Sequence, residues 1–292
     1  MRKQTIGVIE LLLTALIWGV AFVAQSVGMK YIGPHTFNCV RFLIGGLVLI
    51  PIVFFFRKGK KQEICNKNTL IGGICCGICL CFASTFQQLG IQHTTVGKAG
   101  FITALYIVIV PVLGIFMRKN VTLITGISAL IAVTGFYFLC ISGKVTIGKG
   151  DVLLLICALL FSLHIMVIDY FSPKADGVAM SCIQFLVSGV ISGVFMFVTE
   201  NPQVSSLVSA WQPILYAGLM SCGVAYTLQI IGQKHVEPAL ASLIMSLESV
   251  FSVLAGWLLL QQKLSMRELL GCALVFGAVI LAQIPVPAKE KE

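Results

Sequence analysis

Ten apolar runs, each close to twenty residues long, leave this chain one solvent to fold in. They span 6–26, 36–56, 69–90, 97–117, 121–141, 151–170, 179–199, 212–232, 239–260 and 266–284. A helix needs about 20 apolar residues to cross the hydrocarbon core of a bilayer. It also satisfies its own backbone hydrogen bonds, which lipid cannot do. The chain is 58% hydrophobic and 11% charged, with a mean hydropathy of +1.00, whereas a water-soluble domain is nearer half apolar and a quarter charged. The alternating pattern of a membrane barrel is absent. These features predict an all-α integral membrane protein with ten transmembrane helices.

The ten runs are one unit used twice. Ala83, Thr85, Gln87, Gly90 and His93 recur as Ala225, Thr227, Gln229, Gly232 and His235, at a constant offset of 142. The match continues without a gap through Ala99 with Ala241, Leu105 with Leu247 and Gly114 with Gly256. A second ungapped match, at offset 143, pairs Leu11 with Leu154, Ala15 with Ala158, Cys39 with Cys182, Phe42 with Phe185 and Gly46 with Gly189. Apolar identities arise easily between membrane helices, but shared Gln, Gly and His at fixed spacing do not. The repeats are expected at 6–141 and 148–284. Five crossings is an odd number, so the second copy enters the membrane upside down. Inverted-topology repeats recur in secondary transporters, with the site near midplane at the repeat interface; architecture alone does not fix function.

Charge placement orients the helices. The net charge is +9, but Lys and Arg lie between the apolar runs, which fits membrane orientation and not nucleic-acid binding. With the N-terminus in the cytoplasm, nine basic residues of the first half fall inside, among them Arg2, Lys3, the cluster Arg57 to Lys61, and Arg118-Lys119, against Lys30 and Lys98 outside. Both termini are then cytoplasmic. The first run could pass for a signal peptide, yet it pairs with the sixth run in the repeat and is kept as a helix. The 11 cysteines sit mostly in apolar runs. Cys76 and Cys79 read as small packing residues there, without the polar setting that metal or redox chemistry needs. Pro213 and Pro238 mark helix first turns and Pro34 a loop, while Pro111 should kink the fourth helix.

Ala15 to Val23, with Trp18 and Gly19 at its centre, resembles the first-helix motif of the EamA family within the drug/metabolite transporter superfamily. Arg41-Phe42 resembles its second-helix signature, and Ser242 to Phe251 the ninth-helix motif of its second repeat. Pro111 stands where the fourth helix of that family usually carries proline. The chain departs from the pattern after the fourth and ninth helices, where Gly-Glu is common and Arg118-Lys119 and Gln261-Gln262 stand here. The resemblance implies ten helices, a central cavity between the repeats, and movement of small metabolites, often outward, with amino acids the commonest class.

Few polar residues lie deep enough to serve such a cavity. Glu248 is the first candidate, because a carboxylate in mid-membrane costs about 2.5–3.5 kcal/mol on insertion scales and must face a cavity, find a partner or stay protonated. It is either a substrate or proton-coupling group, or an acid bonded to Ser246 or Ser252 that ties helices together. Its repeat partner is Tyr106. Gln87 and Gln229 line the cavity from two sides, or form interhelical hydrogen bonds worth about 0.6 kcal/mol. Arg41 can bind a substrate carboxylate, or snorkel to water from its place near a helix end. His164 and Trp18 are cavity or packing residues; Glu10, His93 and His235 suit helix termini and headgroups. No nucleotide, metal or cofactor motif is found, and no nucleophile–base pair for an enzyme. The expectation is a secondary transporter of the bacterial cytoplasmic membrane, exporting small metabolites such as amino acids by alternating access. A flippase for a lipid-linked carrier, a membrane enzyme and a sensor stay open as alternatives, as do proton coupling and a homodimer.

Overall fold

The computed structural model describes residues 2–55, 66–94, 96–117, 122–140, 148–261 and 265–283. The cluster Arg57 to Lys61, Arg118-Lys119, Gln262 and the residues after 283 lie outside the described residues. The elements are helices: α1 (Arg2–Gly28), α2 (Pro34–Phe55), α3 (Lys67–Ile91), α4 (Val96–Thr103), α5 (Tyr106–Phe116), α6 (Leu123–Cys140), α7 (Lys149–Phe171), α8 (Gly177–Thr199), α9 (Val204–Ser209), α10 (Trp211–Leu215), a π-helical stretch (Tyr216–Tyr226), α11 (Thr227–Gln233), α12 (Pro238–Met245), α13 (Glu248–Leu260) and α14 (Met266–Ala282). Eight stretches are long and apolar enough to cross a membrane: α1, α2, α3, Val96–Phe116, α7, α8, Trp211–Gln233 and Pro238–Leu260. The fifth and tenth expected segments form the shorter α6 and α14, which pack on each other. At about 1.5 Å per residue, the 17 residues of α14 span roughly 25 Å.

The molecule is sorted for lipid. Phe55, Phe116, Phe197, Leu130 and Leu258 are each more than half exposed, which a protein in water rarely tolerates as a continuous surface. Serines and glutamines are instead buried, Ser84, Ser188, Ser246, Gln184 and Gln229 among them. It is a multi-pass membrane protein.

Contacts across the middle are reciprocal. A methyl group at Gly46 of α2 would lie 2.9 Å from Leu186 of α8, and one at Gly189 of α8 would lie 2.8 Å from Leu43 of α2. The repeat equates Gly46 with Gly189 and Leu43 with Leu186. The ring of Phe42 stacks on its own counterpart Phe185, centroids 6.1 Å apart. Gly7 and Gly232 bring α1 onto α11, with a Cβ on either lying 2.9–3.0 Å from the other's carbonyl oxygen. Gly90 and Gly150 do the same for α3 and α7, at 3.2 and 3.0 Å. The glycine shared by the two repeat motifs is thus a point of backbone approach, which any side chain would force apart.

The fourth and ninth spans are interrupted at matching places. Leu105 N–H bonds to Ile102 O at 3.2 Å and Ile107 N–H to Ala104 O at 3.0 Å; 142 residues on, Leu247 N–H bonds to Ile244 O at 3.2 Å and Ser249 N–H to Ser246 O at 3.1 Å. These three-residue bonds tighten the backbone between α4 and α5 and between α12 and α13. Pro111 lies inside α5, so the expected proline kink is not the interruption. The ninth span, with Val253 in the matching place, breaks without one. Pro34 opens α2 as its first residue, where its missing N–H is not needed, and is not in a loop.

Polar ties join the halves beyond this core. Glu200, just after α8, accepts from the backbone N–H of His35 and Thr36 at 2.8 and 2.9 Å and from the Thr36 hydroxyl, so the first turn of α2 is capped by the other half. Lys98 of α4 pairs with Asp151 of α7 at 2.7 Å. Gln261 ends α13 in the left-handed region, φ 52°, the conformation glycine usually supplies at a helix C-terminus.

Candidate functional site

The two interruptions set what faces the centre. Tyr106 is the first residue of α5 and Glu248 the first of α13. The Tyr106 hydroxyl donates to Glu248 Oε1 at 2.9 Å, and both side chains are buried. Positions equated by the sequence repeat therefore bond to each other. An acid in the first turn of a helix also suits the partial positive charge of the backbone there. Ser246 and Ser252 do not hold Glu248; their hydroxyls donate to Leu243 O and Ser249 O.

Around this pair lies a cavity of about 30 Å³. Its wall is largely built from repeat equivalents: Trp18 with Phe161, Phe22 with Ile165, Gln87 with Gln229, Thr103 with Met245, and Tyr106 with Glu248. Gln25, Arg41, Ser221 and Tyr226 complete it. Such a volume holds about two waters.

Six of the seven residues singled out from the sequence meet here: Glu248, Tyr106, Gln87, Gln229, Arg41 and Trp18. His164 does not. It is fully buried one layer back, bonded to Gln184 at 3.0 Å and set edge-on to the rings of Phe161 and Tyr226. Arg41 does not snorkel. It is 2% exposed, and seven residues into α2 its head lies in the wall of the cavity. Its Nε and Nη2 have no hydrogen-bond partner. The Trp18 Nε1, Gln25 Oε1 and Gln229 Oε1 atoms are buried and unpartnered as well.

Some wall residues escaped the sequence reading although the signal was present. Phe22 and Gln25 lie one and two turns beyond Trp18 on the same face of α1. Thr103 lies one turn before Tyr106, across the interruption. Ser221 and Tyr226 reach the cavity from the π-helical stretch, which no local signal announced.

A family model described as the EamA-like transporter family matches residues 5–141 and again 148–283. An uncharacterized transporter of Archaeoglobus fulgidus is 31% identical over 286 residues, covering 97% of this chain and 88% of the relative. The uncharacterized transporter YoaV of Bacillus subtilis is 25% identical, covering 96% of this chain and 97% of the relative. One solved crystal structure shares the fold, with a TM-score of 0.73 at 19% identity over 92% of this chain and 96% of the other. Matched in both halves and along nearly its whole length, this chain belongs to the EamA-like transporter family.

Proposed function

We propose that this chain is a secondary transporter that exports small metabolites such as amino acids by alternating access. Its two five-helix repeats, 6–141 and 148–284, would be inverted relative to each other in the bacterial cytoplasmic membrane, with both termini in the cytoplasm. The observation that carries this reading is the hydrogen bond between Tyr106 and Glu248. Two polar groups from equivalent sequence positions bond there, each at the start of a helix, which supports a site of the kind that transporters build between repeats. The reciprocal glycine contacts and the Phe42–Phe185 stack support a two-fold relation between the halves. Binding and release would follow from movement of the two halves about this cavity. Glu248 is the group placed to carry a coupling proton.

The test is Glu248→Gln in vesicles loaded with a labelled amino-acid mixture. Exchange should fall at least about tenfold, roughly 1.4 kcal/mol, near the lower end for a lost hydrogen bond to a charged group, and its pH dependence should flatten. An unchanged rate and pH profile would remove Glu248 from the mechanism.

A second reading rests on a separate feature. An apolar cleft of about 480 Å³ opens between α2, α8 and the segment Gly223–Ile231, walled by Leu49, Ile52, Val53 and Leu228. That shape suits the acyl chain of an amphiphilic cargo, as in a lipid-carrier flippase. Competition of a short-chain lipid-linked sugar against the amino-acid mixture separates the two.

A further inference from the structure

We propose that Arg41 forms a carboxylate subsite in the central cavity, so that the solute moved through it carries a carboxylate group. The inference rests on the reading of that cavity as the transport site. A guanidinium is always charged, and a buried charge without a counter-ion costs several kcal/mol. Among the described residues Arg41 has no acidic partner within salt-bridge distance, and the cavity's own acid, Glu248, is engaged by Tyr106. What surrounds Arg41 is aromatic: its Cζ lies 4.7 Å from the Phe42 ring centroid and 5.5 Å from that of Phe37. Those rings attract the cation without occupying its N–H groups.

The two unpartnered atoms are not an arbitrary pair. Nε and Nη2 form one edge of the guanidinium, whose two N–H vectors run parallel at the spacing of two carboxylate oxygens. That edge is buried and unpartnered, on a residue that lines the cavity. The Trp18 Nε1 donor is likewise buried without a partner on a lining residue, and the unpartnered acceptors are Gln25 Oε1 and Gln229 Oε1. The donors call for an anionic head, and the acceptors for an N–H or O–H on the same solute. A structural arginine would have its edge satisfied by a carbonyl or a carboxylate of the chain.

Acetate and acetamide have the same shape and differ in charge and in the second oxygen, and acetate is the smallest stable probe that carries an alkyl carboxylate. The full chain, purified in detergent, is titrated with each at constant ionic strength set by sodium chloride, and the thermal unfolding midpoint is read. Acetate should raise the midpoint saturably, acetamide and chloride should not, and Arg41→Gln should raise the acetate concentration for half effect at least about tenfold. Arg41→Lys, which keeps the charge but loses the fork, should retain a weaker response and guards against a variant that fails to fold. Equal shifts from acetate, acetamide and chloride, or an acetate response that survives in Arg41→Gln, overturn the subsite. Counterflow of the labelled amino-acid mixture in vesicles is read in parallel. Counterflow that Arg41→Gln leaves intact sinks the subsite and leaves the transport reading standing. An Arg41-dependent acetate response without counterflow keeps the subsite and removes amino acids as cargo.

Discussion

The third helix of each half carries the same motif, yet the two backbones differ. α3 is α-helical from Lys67 to Ile91, whereas its counterpart Trp211–Gln233 is π-helical from Tyr216 to Tyr226. Contacts on either side explain the difference. In the first half Gly77 meets α8, with a Cβ there 2.8 Å from Gln184 O, and its own carbonyl accepts from Ser188 Oγ at 2.8 Å. In the second half the glycine that meets α2 is Gly218, with a Cβ 3.2 Å from Arg41 O and its carbonyl 3.3 Å from a Cβ on Gly45. Gln184 and Ser188 are the repeat partners of Arg41 and Gly45. Gly77 and Gly218 are therefore equivalent in space but 141 residues apart, while Gln87 and Gln229, both in the cavity wall, are 142 apart. The second half holds one extra residue between these two anchors. A π-helical stretch is how a helix absorbs a single insertion without breaking. The fourth helices teach the opposite lesson: Ala104-Leu105 and Ser246-Leu247 differ in sequence, with a proline downstream in one only, yet they interrupt their helices with the same hydrogen bonds.

This comparison can be broken most sharply by deletion. Removing lipid-facing Val224 should turn the π stretch into plain α-helix with both anchors in register, at a cost of about 1 kcal/mol or less. Removing lipid-facing Ile78 from α3 should swing Gln87 out of the cavity and cost several kcal/mol through repacking of the whole face. Chemical unfolding in detergent measures both, and equal costs would end the insertion account. The glycine crossings come next. Gly7→Ala and Gly150→Ala should each cost about 1–3 kcal/mol by overpacking, and their costs should match if the halves are equivalent. The smallest effect belongs to Pro111→Ala. Because the ninth span breaks without a proline, stability should change by less than about 0.5 kcal/mol, and a loss as large as the glycine pair would restore the proline as the cause.

The membrane class and the repeat were legible because they rest on long-range regularity: apolar length, and Gln, Gly and His returning at one offset. The equivalence of Tyr106 and Glu248 could be read from that offset, but not their hydrogen bond, which depends on how the halves dock. Sequence left Arg41 open between a cavity group and a snorkelling side chain, because distance from a helix end does not give distance from water; it is buried and lines the cavity. The interruptions were missed because Ala, Ser and Leu carry no breaking signal, and the one residue that does, Pro111, drew attention to the wrong turn. Depth alone left His164 open between cavity and packing; it packs edge-on to the rings of Phe161 and Tyr226 and does not line the cavity.

The bond between Tyr106 and Glu248 could not exist between two separate, identical five-helix proteins. Lying where each position faces its own copy, the site would be occupied by two phenols or by two acids, the latter repelling each other at close range. Joining the units in one polypeptide lifts that constraint. One stretch can keep a neutral hydroxyl while the other acquires a carboxyl, so equivalent positions can take up different chemistry and still bond to each other.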